Sequence, residues 1–383
     1  MVNELYFNHH FSKTSIAQKM KVSRNFVSRW TQSINQDFTS DNRGWKKGKS
    51  RKWDSEIKEK IKSIRLYLEN DSFEFYHGAT AIQQEWRRRY SDEVIPPLRT
   101  IGKYLSELGL AKKRKEKHKG AAKYLCYPEH TIYNQIGDRV AEVDFIGKKY
   151  ISGSSEPLNF IGFSFKKEPR LRYYRRIEGQ TTNNFITETD KFFRFFEKPD
   201  VIKLDNGLAF IGSASGKRNI SRSMFFLLKN NVIPVFAVPR KPFTQASIEG
   251  NNSVFSKKFW NKFDFKSLKE IDDKLELFNQ SSQRYTEYRR PEKNLQNRNF
   301  TPKVYFIRQV KEVSENKKFG AYINVLNVII PMPKSLVNYY VLSEWKLNKE
   351  TLNIYFEKDK RQKLIKKIDF KINKKSKEKF DVF

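Results

Sequence analysis

A chain of 383 residues exceeds one small domain, and 38% hydrophobic residues with 32 phenylalanines supply real cores, which excludes a disordered chain. A formal charge of +33 repels itself unless a polyanion neutralises it, so nucleic acid is the expected partner, with a ribosome-like structural protein or a peripheral membrane protein as the plain alternatives. The single cysteine, Cys126, excludes a disulfide framework and a cysteine-based zinc site within one chain. No apolar run approaches the roughly 18–20 residues that span a bilayer, and the first ten residues hold no signal-peptide core, so a cytoplasmic protein without a membrane partner is expected.

Residues 12–30 have helix-turn-helix spacing. Ile16, Ala17 and Met20 face inward on a first helix, Ser23 caps a second, and Phe26, Val27 and Trp30 close a small core. Arg24, Asn25, Ser28 and Arg29 then face outward, a polar and basic surface suited to the major groove, although an ordinary helical hairpin has the same spacing. A basic connector spans 43–52. Three more helical patterns lie between 54 and 110. In the last of them Leu98, Ile101, Leu105 and Leu108 share one face, with Gly109 as its stop. This reads as a second helix-turn-helix with Arg99 and Lys103 placed to meet phosphates. Residues 112–119 carry six Lys and Arg side chains and read as a basic boundary.

From 135 to 290 strand and helix patterns alternate. Strands are expected at 140–145, 158–165, 171–175, 201–205 and 232–236, and helices at 181–196, 221–230 and 244–262. This order builds a mixed α/β sheet of the ribonuclease-H kind. Five short strand signals between 300 and 383 suggest a small SH3-like barrel with a basic tail. The chain therefore divides into 1–40, 54–110, 135–290 and 300–383: two all-α helix-turn-helix units, an α/β core and a C-terminal β-barrel.

Three carboxylates carry the chemistry. Asp144 interrupts an apolar strand, Asp205 ends one, and Glu249 lies on the helix that begins near 244, although an Asp-Asn-Gly turn alone would explain Asp205. Convergent carboxylates repel one another, and hard divalent cations with oxygen ligands remove that conflict. Two such ions, Mg²⁺ or Mn²⁺, about 3.5–4 Å apart would serve in-line phosphoryl displacement. Combined with the positive charge, this favours phosphodiester chemistry over glycoside hydrolysis.

The segments 137–147, 204–210 and 241–252 resemble, in order, the three acid motifs of the DDE transposases with a retroviral-integrase-like core. Tyr288-Arg289-Arg290-Pro291, Leu295 and Thr301-Pro302 resemble the spaced tag that follows the core in bacterial insertion-sequence transposases. The resemblance implies an enzyme that binds its element's ends as double-stranded DNA, works as a homo-oligomer, sometimes with a helper protein, cleaves strands and joins 3′-hydroxyls to target DNA. It assigns Asp144, Asp205 and Glu249 as catalytic metal ligands, has Asn206 and Gly207 shape the second-acid turn, and makes Lys257 a candidate contact to the DNA end. The chain departs from the family in two places. Forty-three residues lie between Asp205 and Glu249, more than is usual, and Gly250 stands where Arg is common. The extra length falls at 212–219, which lacks the spacing of a nucleotide-binding loop. A transposase-derived regulator that only binds DNA, and a nuclease that cuts without joining, are the alternatives.

Overall fold

The computed structural model describes residues 1–32, 53–71, 73–111, 128, 131–291, 300–312 and 320–380. The connectors at 43–52 and 112–119, Cys126 and Leu295 lie outside the described residues. The chain separates into two compact units, Met1–Lys58 and Glu59–Phe383.

In the first unit, α1 (Lys13–Met20) and α2 (Arg24–Trp30) follow a short π-helical turn. Ser12 and Ser23 accept the amides of Ser15 and Phe26, each at 3.1 Å, and thereby satisfy donors that a helix start leaves free. Lys21 takes the left-handed conformation and ends α1. Ile16, Ala17 and Val27 form the core. Phe26, expected inside, is 41% exposed and lies against Trp30 with ring centroids 5.9 Å apart. A core this small closes on Val27 alone from that turn of the helix.

The second unit begins within α3 (Ser55–Asn70) and continues with α4 (Ala79–Arg89) and α5 (Leu98–Glu107). Ile101 and Leu105 are buried, but Leu98, the first residue of α5, is 45% exposed. The sheet strands are β1 (Val140–Lys149), β2 (Leu158–Phe165), β3 (Leu171–Ile177), β4 (Val201–Leu204) and β5 (Ile233–Phe236). Helices α6 (Thr182–Phe195), α7 (Leu208–Ile211), α8 (Arg222–Lys229), α9 (Ala246–Lys258) and α10 (Leu268–Thr286) accompany them. Strands β1, β2 and β3 pair antiparallel, while β4 and β5 add in parallel beside β1. This large mixed sheet agrees with the α/β core expected from the sequence.

Helix α10 was not among the expected elements. It covers β3, and Asn279 reads both polar groups of Tyr174: its side chain accepts that residue's N–H and donates to its C=O, each at 2.9 Å. The three-helix segment docks on α10. Phe75 stands 5.1 Å from Phe278 ring to ring, and Tyr76 stacks on Tyr285 at 4.2 Å.

The C-terminal strands do not close a barrel. They are β6 (Lys303–Gln309), β7 (Lys311–Glu312), β8 (Ala321–Val325), β9 (Val328–Pro331), β10 (Tyr340–Lys346), β11 (Thr351–Lys358) and β12 (Arg361–Asp369), followed by α11 (Lys374–Phe380). Strand β6 pairs in parallel with β5, and the sheet runs on as β12-β11-β10-β6-β5-β4-β1-β2-β3, while β7, β8 and β9 form a small separate sheet. The reason lies in β6, whose residues 304–308 are all buried, the pattern of a strand covered on both faces rather than of a barrel strand with one wet side. Trp345 anchors the extension: it is fully buried, and its indole N–H donates to Phe370 O at 2.9 Å. Trp345→Ala is expected to destabilise the second unit by about 3–5 kcal/mol. Guanidinium unfolding should show this as one shifted transition, with circular dichroism and fluorescence coinciding.

Candidate active site

Three elements bring the sequence-selected acids together. Asp144 lies in β1 opposite Gly162 of β2. A Cβ at Gly162 would stand 2.9 Å from the Tyr174 ring of β3, so a side chain there would force that ring to shift, while Ile248 of α9, at 3.4 Å, would be in ordinary contact. Asp205 directly follows β4, the parallel neighbour of β1, and Glu249 is in the first turn of α9. Asp144 and Asp205 are half-buried, and Glu249 is exposed.

The electrostatics agree with this convergence. Burial, then the charges of Asp205 and Glu249, push the Asp144 carboxyl up to about 7, against the opposing hydrogen bonds from Phe145 and Asn252. Burial also raises Asp205, with the Gly207 amide, which donates to its Oδ1 at 2.8 Å, working the other way. Glu249 is raised by burial and by the charge of Glu142.

Three residues that the sequence reading passed over build the site. Glu142 shares a strand face with Asp144. It is only 2% exposed, pairs with Lys203 of β4 at 3.5 Å, and accepts the Ile248 amide at 2.8 Å, which fixes the start of α9. Asn252, one turn beyond Glu249, donates from Nδ2 to Asp144 Oδ2 at 2.9 Å, and its buried Oδ1 has no hydrogen-bond partner. Arg308 of β6 is 5% exposed. It donates to Asn206 Oδ1 at 2.9 Å and to Ala237 O at 3.1 Å, while Asn206 Nδ2 donates to the same Ala237 carbonyl at 2.7 Å. Burial alone lowers the Arg308 guanidinium to about 9. The spacings Glu142-x-Asp144 and Glu249-x-x-Asn252 were available as signals, since alternate strand positions and third helix positions share a face. Nothing local in the sequence tied Arg308 to Asn206.

The remaining sequence-selected residues lie on α2, α5 and α9. Arg24, Asn25 and Arg29 are exposed on α2, and Ser28 is half-buried there. Arg99 and Lys103 are exposed on α5, where Lys103 stands 3.7 Å from Glu107. Lys257 is exposed near the end of α9. The insert at 212–219 is held by the C-terminal segment: Arg218 N donates to Leu326 O at 3.2 Å, and Asn373 N to Arg218 O at 3.1 Å.

Among the described residues, no three His, Cys, Asp or Glu side chains stand close enough to hold a metal ion as they are, and no helix is long and apolar enough to cross a membrane. The donor chemistry nonetheless suits a hard divalent cation. The three acids offer only oxygens, Asp144 is raised by burial and then by its like-charged neighbours, and Asn252 Oδ1 is a buried acceptor without a donor.

No protein-family model and no curated protein matches the sequence. Among solved structures, the chain is similar to the catalytic core domain of BIV integrase, with 13% identity, 37% of this chain and 80% of that chain covered, and a TM-score of 0.29. It is similar to the HTLV-2 integrase catalytic core domain in complex with magnesium at 15% identity, with 38% and 89% covered and a TM-score of 0.28. It is also similar to a simian T-cell lymphotropic virus intasome in complex with the PP2A regulatory subunit B56 gamma, at 11% identity, 75% and 92% covered and a TM-score of 0.34. Likeness of this degree fixes neither site nor activity.

A carboxyl held near 7 when folded, against about 3.9 when unfolded, stabilises the fold while it is protonated. That contribution is whole below the unfolded value and is lost as pH rises through about 7. In chelator, Asp144→Asn should therefore exceed the wild type in stability at pH 8 by on the order of 2–4 kcal/mol, and match it near pH 4. Urea titrations at the two pH values measure the difference.

Proposed function

We propose that the chain is a DDE-type transposase or integrase that cleaves phosphodiester bonds and joins 3′-hydroxyl ends to target DNA. The observation that carries this reading is the electrostatic meeting of Asp144, Asp205 and Glu249 across two parallel strands and one helix, in a chain of charge +33. A buried carboxyl that two further acids push toward its protonated form, as Asp205 and Glu249 do to Asp144, is a poor structural element and a good cation ligand.

In this reading Asp144, Asp205 and Glu249 hold two Mg²⁺ or Mn²⁺ ions, which when bound supply Lewis acidity to the phosphorus centre and lower the pKa of the attacking hydroxyl. The protein's own part is to orient. Asn252 holds Oδ2 of Asp144. Gly207 N–H holds one oxygen of Asp205, and Asn206, fixed by Arg308, stops the loop from swinging away from β4. Glu142 sets the height of α9 and with it Glu249. Duplex DNA is the substrate and partner. Arg24, Asn25, Ser28 and Arg29 on α2, Arg99 and Lys103 on α5 and Lys257 on α9 are its proposed contacts, in a homo-oligomer that pairs two element ends. A DNA-binding regulator would need none of the acids, and no observation favours it.

The test is a joining assay with purified protein, Mg²⁺ or Mn²⁺, a labelled duplex carrying the element's end and a plasmid target. Covalent joining by the wild type, reduced on the order of 10³-fold or more in Asp205→Asn while end binding is kept, is the expected result. Joining that survives the substitution would sink the proposal.

A further inference from the structure

A second charged site lies away from the acids, where residues 73–77, the strap between α3 and α4, cross the far end of α9. Lys258 Nζ donates to Phe75 O at 3.0 Å, and Lys262 Nζ donates to Glu74 O at 3.3 Å. The same lysines lie on the strap's aromatic rings: Lys258 is 5.2 Å from the Tyr76 centroid, and Lys262 is 5.2 Å from that of Phe75. Arg172 of β3 approaches from the sheet, 6.0 Å from the Tyr76 ring and with Nη1 3.4 Å from its hydroxyl. From α3 comes Arg65, only 7% exposed. One arm of its guanidinium meets Glu69 at 3.3 Å, but Nη1 is buried without a hydrogen-bond partner, and so is Nδ1 of His77.

Among the described residues, acids answer these cations only in part. Glu69 and Asp71 act on Lys262, and Glu69 acts on His77, but Glu74 is engaged by Arg284 at 2.9 Å. Burial, followed by the charges of Lys262, Arg65 and Arg172, holds Lys258 below the usual lysine range. Lys262 is lowered by burial and by Lys274, and His77 falls to about 4 through burial, Lys258 and Arg65, so it stays neutral. Directly after His77, Gly78 stands at the cap of α4 and has no side chain to bond the amides of the first turn. Like charges crowded beside uncapped amides are costly alone and favourable around an anion.

We propose that Arg65, Arg172, Lys258 and Lys262, with the start of α4, form a phosphate site that grips a nucleic-acid backbone. Lys258 lies nine positions beyond Glu249, about two and a half helical turns, which puts the two side chains on opposite sides of α9. The site is thus separate from the carboxylates, and it fixes a second point at which DNA meets the catalytic unit. It rests on the nucleic-acid part of the reading above but not on the chemistry at the acids.

The test uses the full chain in chelator, with a labelled duplex of arbitrary sequence titrated between about 50 and 200 mM salt. The double variant Arg172→Gln/Lys262→Gln is expected to bind roughly 10-fold more weakly on every sequence, with a plot of log affinity against log salt flatter by about 1–2. Its melting temperature should hold or rise, because repulsion is relieved. Lys262→Gln alone, at an exposed side chain, should flatten the slope by about 1 and guards against misfolding of the double variant. Wild-type slopes in both variants would overturn the proposal, and a lowered melting temperature beside them would make the lysines mere staples of the strap. If inorganic phosphate raises the wild-type melting temperature, the variants lose that rise and the DNA slopes stay unchanged, the site serves free phosphate and the backbone assignment falls. Asp144→Asn should keep the wild-type slope, so the loss of joining and the loss of this site are told apart.

Discussion

The buried carboxylate of Glu142 is the constraint on which the candidate site depends. It joins three elements at once: β1 carries it, β4 answers it through Lys203, and α9 starts on it through the Ile248 amide. Those are the elements that bear Asp144, Asp205 and Glu249. A buried ion pair of this kind adds little net stability over a well-packed apolar pair, but removing one partner costs about 3–5 kcal/mol. Its effect is therefore to specify register. Slipping β1 by one residue against β4 would bury an unpaired charge and turn Asp144 to the other face of the sheet.

A second dependence runs to the C-terminal strands. The loop after β4 is held by Arg308, about a hundred residues later, through Asn206 and the Ala237 carbonyl. The insert at 212–219 is bound to the turn before β9 and to the segment before α11. The long gap between the second and third acids thus has a structural occupation. It ties the acid-bearing part of the unit to the turn of the small second sheet and to the segment before α11.

Much of this was legible in the sequence. The strand at 158–165 was placed residue for residue, and Ser23 caps α2 as its position before a helical run implies. Asp144 and Asp205 stand out in the sequence because each breaks or ends an apolar run, whereas Glu249 stands out only through the resemblance of 241–252 to a family motif. Pairing partners were not, since alternation tells which residues share a face and not which strand lies beside them. The run 304–307 held the warning, because four consecutive strand residues with large apolar or aromatic side chains suit a strand covered on both sides better than a barrel wall. Helix α10 was missed although Ile271, Leu275 and Phe278 recur at helical spacing, and its polar exposed residues obscured that stripe. Arg308 and the Glu142–Lys203 pair lay beyond local reading altogether, because only the folded sheet brings them to their partners.

The sheet ends at β12, a strand with β11 on one side and, among the described residues, no partner strand on the other. Arg361, Lys363 and Lys367 are exposed along it, with Lys366 half-buried between them. An unpaired strand edge invites a neighbour's edge, and a row of like charge repels an identical row. Two copies crowded side by side would meet at this edge with matching cations and be pushed apart before their backbones could bond. A nine-stranded sheet can thereby stay finite in a chain that otherwise offers aggregation a ready template.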